Sequence, residues 1–318
     1  MDKKKVIMFV AVTYAIAWII AIPASIYYKK NPGMGGTSVF KVAAMIMMFA
    51  PLVSVFITTR DLKVVNWKPK FKGNVKWIIF AFIIPAVVVG AGAVLFYIIF
   101  PDLFDTTGSY LTKSGEDMGV DLMAQLESMG LTLNMYVAFS SLSIFLYGGL
   151  INMFFAVGEE AGWRGFLYPE LKKKYGRVKT WIIGGAIWSV FHFPIMLIAG
   201  YEYGTDYLGA PVLGLIVFTV NCIFNGIFNE IIYDKTKCIW YPALFHGVFN
   251  AFANIPFNYW NVNSDGKAER LMILGPGVNG IIGMIPMVII AVIVAVIVIK
   301  KDKVENKLEN NSIEGGDK

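Results

Sequence analysis

The chain is 318 residues long, 57% hydrophobic and only 16% charged, a composition that excludes a soluble globular protein and defines a polytopic membrane protein. Its net charge of +6 does not indicate nucleic-acid binding, because the basic residues fall in short clusters between apolar stretches, where they set topology. Cys222 and Cys238, the only cysteines, lie in or beside apolar stretches with neither metal-type spacing nor a disulfide framework.

A hydrocarbon core of about 30 Å takes roughly 20 residues of helix. Apolar stretches of about that length predict eight spans, at 6–28, 39–59, 77–100, 135–157, 180–200, 211–233, 239–255 and 277–299. The first follows Lys3, Lys4 and Lys5 and contains Ala21-Ile22-Pro23-Ala24, a faint cleavage-site pattern, but its apolar core is too long for a signal peptide. The loop from Arg60 to Lys76, the loop from Lys172 to Lys179 and the tail opening at Lys300-Lys301 are basic, and all fall on the side of the amino terminus. The opposite side receives an acidic segment carrying Asp102, Asp105, Glu116, Asp117, Asp121 and Glu127, with Lys29 and Lys30 as a mild exception. Lysine and arginine are retained in the cytoplasm. The expected fold is therefore an all-α bundle of about eight transmembrane helices with both termini cytoplasmic, an integral protein of the plasma membrane. Residues 1–300 form one bundle with its chemistry within 149–256, and 301–318 are a polar tail expected to be disordered. Between the third and fourth spans, Met118, Leu122, Met123 and Leu126 recur at helical spacing among acidic residues, predicting an amphipathic helix over 114–129 on the outer surface.

Ionisable residues inside apolar spans are costly and mark functional sites by default. The fourth span ends in Gly158-Glu159-Glu160-Ala161-Gly162-Trp163-Arg164, where Glu160 and Arg164 share a helix face four residues apart and suit a helix-end ion pair. Glu159 lies about 100° round the helix from Glu160, so the two carboxylates do different work. In the fifth span Trp188 and His192 are four apart, followed by Pro194, and in the seventh His246 and Asn250 are four apart, with Asn254 a turn further on. These are the chain's only histidines. Asn221, Asn225 and Asn229 stripe the sixth span, where interhelical hydrogen bonding is the plainer reading. A carboxylate, two imidazoles and an amide from three helices make a hydrolase inventory with a general base and oxyanion donors. No serine or cysteine stands beside a base, so attack by activated water is favoured over a covalent route.

Three motifs in this order, Glu159-Glu160-x-x-x-Arg164, Trp188-x-x-x-His192 and His246-x-x-x-Asn250, resemble the CAAX-processing and bacteriocin-processing protease family, also called Abi or type II CAAX prenyl endopeptidases. The likeness covers roughly 149–256, and Trp188 stands where phenylalanine is commoner, a departure expected to alter only packing. The resemblance implies an intramembrane endopeptidase working near the cytoplasmic face, its site open to the cytoplasm. It implies that Glu159 and His192 activate a water, that His246 and Asn250 stabilise the oxyanion, and that Glu160, Arg164 and Trp188 support them. No cofactor is required in that scheme. A zinc-dependent version would use Glu159, His192 and His246 as ligands, a set known from catalytic zinc sites, although no His-Glu-x-x-His helix occurs. The expected partners are membrane lipid and a peptide or protein carrying a membrane-associated or lipidated segment. A silent bacteriocin-immunity protein and a proton-coupled transporter remain alternatives from other classes.

Overall fold

The computed structural model describes the backbone through residue 315 and side chains through residue 305. The apolar stretches fold as helices because a chain in hydrocarbon must satisfy its backbone internally. In chain order these are α1 (Lys3–Lys30), α2 (Met34–Met47), α3 (Ala50–Thr59), α4 (Val75–Ile99), α5 (Ser109–Met118), α6 (Leu122–Ser128), α7 (Leu133–Ser143), α8 (Gly149–Gly162), α9 (Tyr168–Ala199), α10 (Val212–Thr236), α11 (Trp240–Phe252), α12 (Lys267–Leu271) and α13 (Ile285–Gly315). Among the described residues there is no strand, only one isolated bridge between Phe104 and Trp260.

Among the described residues five helical runs are long and apolar enough to cross a membrane. One of them, Leu133–Ala199, is a 67-residue run that contains both the fourth and the fifth expected spans. Two wide π-helical turns, Ile144–Gly148 and Trp163–Leu167, keep it continuous, and Gly176 at φ 71° and ψ 176° breaks it inside α9. That backbone region is open to glycine and strained for other residues. The basic 172–179 segment is thus a helical corner and not a loop. The seventh expected span is the 13-residue α11, too short to cross alone and buried without interruption from Tyr241 to Phe249. The expected amphipathic helix is two helices, α5 and α6, parted where Gly119 turns left-handed at φ 73°. The last helix continues to Gly315, where a disordered tail was expected; the tail's side chains beyond Glu305 and all of 316–318 lie outside the described residues.

Hydrogen bonds and ion pairs gather the basic segments at one end. The Asp2 amide donates to Glu170 at 2.9 Å, Asn66 donates to the Tyr233 hydroxyl at 2.9 Å, and Arg177 pairs with both Asp234 and Asp302. Lys172 adds contacts of 2.8 Å to Glu230 and 3.3 Å to Asp234. The acidic segments gather at the other end, where the Asp105 amide donates to the Tyr259 carbonyl at 2.8 Å and that of Leu208 to the Arg270 carbonyl at 2.9 Å. Lys267 pairs with Asp102 there. These are called the basic and acidic ends below.

The centre is a tight packing of α8 on α11 and α3, and of α9 on α10 and α1. Small residues allow the closest approach, as membrane interfaces require. A Cβ on Gly247 of α11 would fall 2.4 Å from the Met153 amide of α8, so this contact admits no larger side chain without separating the helices.

Candidate active site

Glu159 and Glu160 do not end their helix. The chain remains helical through Gly162, passes the wide turn at Trp163–Leu167 and continues into α9. Both carboxylates consequently sit deep in the bundle, 2% and 0% exposed. Burial of charge is tolerable only with partners, and each has its own.

Glu159 Oε2 accepts two indole N–H groups, from Trp188 at 2.6 Å and from Trp163 at 3.2 Å. Among the described residues Oε1 receives no hydrogen bond from the protein, and Glu159 lines a cavity of about 540 Å³. Glu160 turns the other way. Its Oε1 accepts Arg164 Nη1 at 2.8 Å and faces His246 Nδ1, also at 2.8 Å, and the expected i, i+4 ion pair is present with both side chains 0% exposed.

Trp188 is the hub of the cluster. Its indole N–H holds Glu159, its carbonyl accepts His192 Nδ1 at 3.1 Å, and its ring meets His246 edge-on at 5.2 Å. The Arg164 guanidinium lies 4.4 Å above the same ring and 4.9 Å from that of Tyr168, a favourable placement for a cation over an aromatic face. Phenylalanine at 188 would supply the ring without the N–H, so the departure from the commoner residue is a hydrogen bond to the carboxylate as well as a change in packing.

The tautomers follow from these partners. A carbonyl only accepts, so His192 carries its proton on Nδ1, which makes Nε2 an acceptor when the ring is neutral. His246 Nδ1 likewise donates to the Glu160 carboxylate, and its Nε2 becomes a donor only when the ring carries both protons. Glu159, Trp188, His192, His246 and Asn250 all line the one cavity. Asn250 is exposed within α11, the end of its side chain uncommitted to other side chains among the described residues. Asn221 donates to the Val278 carbonyl at 3.1 Å, and Asn229 to the Asn225 side chain at 2.9 Å. Asn221 therefore ties α10 to the Val278 segment, the Asn225–Asn229 bond stays within α10, and Asn221 and Asn225 also face the cavity.

Among the described residues no three His, Cys, Asp or Glu side chains are gathered closely enough to hold a metal ion. The three residues of the zinc-dependent version, Glu159, His192 and His246, line the same cavity but do not form such a cluster. Sequence reasoning missed Trp163, although its place four residues after Glu159 puts it on the same face. It also missed Glu202, a loop carboxylate in the cavity wall, because nothing local in the chain connects it to the helices it faces.

The buried carboxylate pair and the two imidazoles thus meet at a cavity between helices, and comparison with known proteins points to a family of membrane peptidases. Residues 138–252 match the family model for type II CAAX prenyl endopeptidase Rce1-like proteins, so the resemblance carried by the three motifs is borne out over that part of the chain. Among curated proteins, CAAX prenyl protease 2 of Methanococcus maripaludis is 39% identical over 49 residues, a stretch spanning 15% of this chain and 18% of that protein. The family points to a peptidase in a membrane-embedded, all-helical chain.

Proposed function

We propose that the protein is an intramembrane endopeptidase in which Glu159 activates the attacking water. The observation that carries this is the placement of Glu159: two indole N–H groups fix Oε2, Oε1 receives no hydrogen bond among the described residues, and the residue lines the cavity. A base held in one rotamer and open to the cavity is what general base catalysis needs.

In the proposed reaction a water donates one hydrogen bond to Glu159 and another to His192 Nε2. Glu159 takes the proton as the oxygen adds to the scissile carbonyl carbon. The resulting oxyanion is received by the Asn250 amide and by Nε2–H of doubly protonated His246, whose added charge Glu160 faces. The proton on Glu159 then passes to the leaving nitrogen, the C–N bond breaks, and a carboxylic acid and an amine leave, the acid giving up the water's second proton to the amine. Glu160 and Arg164 position His246 and Trp188 and touch no reacting atom. No step passes through a metal.

The test is cleavage of a library of membrane-associated peptides by detergent-purified protein, comparing wild type with Glu159→Gln and His246→Ala, each with and without a strong chelator. Cleavage that vanishes in both variants and ignores the chelator supports the mechanism. Undiminished cleavage by Glu159→Gln would sink it.

A further inference from the structure

The position of the site along the bundle conflicts with cytoplasmic access. The helices show its height. Trp18 Nε1 donates to the Phe191 carbonyl at 3.3 Å, so His192 lies level with Trp18. At 1.5 Å per residue that level is about 22 Å from the Lys3 end of α1 and about 18 Å from the Lys30 end. On α9 His192 stands about 24 Å beyond the Gly176 corner and only about 10 Å short of Ala199. Asn250 falls within the last turn of α11. The reacting groups are therefore displaced toward the acidic end.

The cavity extends the same way. Beyond the site its walls are Lys41, Tyr110, Glu202, Asn254 and Asn279, residues of the segments gathered at the acidic end or of the helix ends that lead into them. Lys41 and Asn254 are exposed. Toward the basic end the site is closed by a layer of side chains 0–1% exposed, namely Glu160, Trp163, Arg164, Tyr168 and Asn229. Under that layer a separate vestibule of about 430 Å³ opens among Lys172, Lys173, Asp234 and Lys237. The two spaces share no lining residue, and Arg164 roofs the vestibule.

The basic end carries the Arg60–Lys76 loop, the 172–179 corner, Lys235 and Lys237, and such clusters remain in the cytoplasm. From these placements we infer that the catalytic cavity opens to the non-cytoplasmic side of the membrane. Resting on the peptidase reading, the substrate is then a peptide segment or membrane-protein tail presented from that side, and not a cytosolic tail.

Cysteine labelling of the full-length chain in intact cells tests this. In a Cys222→Ser, Cys238→Ser background, Lys41→Cys and Asn254→Cys report the cavity mouth, and Lys173→Cys and Lys237→Cys the vestibule. A charged, membrane-impermeant maleimide is expected to label the first two in intact cells and the second two only after lysis. Labelling in the reverse order, or of all four from one side, overturns the inference. Wild-type protein supplies a measurement that needs no variant: peptide cleavage by right-side-out against inverted membrane vesicles. Cleavage confined to right-side-out vesicles is expected, and cleavage confined to inverted vesicles overturns the inference. Absence of cleavage in both orientations counts against the peptidase reading, while labelling still decides which way the cavity faces.

Discussion

Glu159 and Glu160 adjoin in the chain, yet they belong to different regions. Glu159 faces a cavity where asparagines and imidazoles stand among apolar side chains. Glu160 lies in a closed layer with Arg164, and both are 0% exposed. Each acid has one oxygen without a partner among the described residues, but Glu159 lines the cavity, whereas Glu160 Oε2 is sealed in while Oε1 holds a guanidinium and an imidazole. One residue of helical advance, about 100°, separates a reactive environment from a structural one. Substitution in the two regions should accordingly fail in different ways.

The largest expected effect is on rate. Glu159→Gln should lower kcat by about 10²- to 10⁴-fold, the usual contribution of a positioned base, with little change in thermal unfolding. Peptide cleavage and a melting curve in the same detergent check this together. Glu160→Gln should do the reverse in emphasis. It leaves Arg164 buried without its charge partner, a change worth about 3–5 kcal/mol of stability, visible as a large fall in Tm. Equal losses of stability in the two variants would erase the distinction between the regions.

Trp188→Phe sharpens the comparison because Trp188 touches both regions. It removes one hydrogen bond to a charged group, worth about 1.5–3 kcal/mol, so kcat should fall by roughly 10- to 100-fold. The ring remains beneath Arg164, and Tm should move much less than in Glu160→Gln. Asn250→Ala removes one oxyanion donor and is expected to cost about 10²-fold in kcat with KM nearly constant. A rise in KM alone would reassign Asn250 to substrate binding.

The smallest effect lies in the acidic-end loops. Burial opposes the charge of Asp105, but hydrogen bonds from Ser109 and Thr107 outweigh it and hold the carboxyl below its ordinary range. A lowered acid contributes stability in full above its unfolded pKa of about 3.9 and loses it as pH falls through the folded value. Hydrogen exchange at the Thr107 and Ser109 amides, each 2.7 Å from the Asp105 carboxylate, should quicken on acidification in wild type. In Asp105→Asn it should be fast at every pH.

Much of this was legible in the chain because hydrocarbon restricts the options. Apolar length announced the helices, i, i+4 spacing announced the Glu160–Arg164 pair, and three ordered motifs announced the residues that share the cavity. Where helices end was not legible. Apolarity stops near Val157 while the helix continues, since buried side chains elsewhere in the bundle engage Glu159, Glu160 and Arg164. That misplaced end made Glu159 look like a residue at the membrane face. The brevity of α11 was hidden for the converse reason: the apolar residues around it fill a protein interior and do not face lipid. The indole donors to Glu159 escaped because an aromatic residue in an apolar stretch looks like packing until its N–H has a partner.

The wide turn at Trp163–Leu167 has a further consequence. A π turn accommodates one more residue than a regular helix would there, and each residue of an α-helix carries about 100° of rotation. Deleting a single residue between Trp163 and Leu167 would not merely shorten the chain. It would close the wide turn to a regular one and move Tyr168 and the corner at Gly176 relative to Glu159, Glu160 and Arg164, which are packed against them. This stretch of unremarkable helix fixes a length that the chain cannot vary, so insertions and deletions should be tolerated in the acidic-end loops and excluded here.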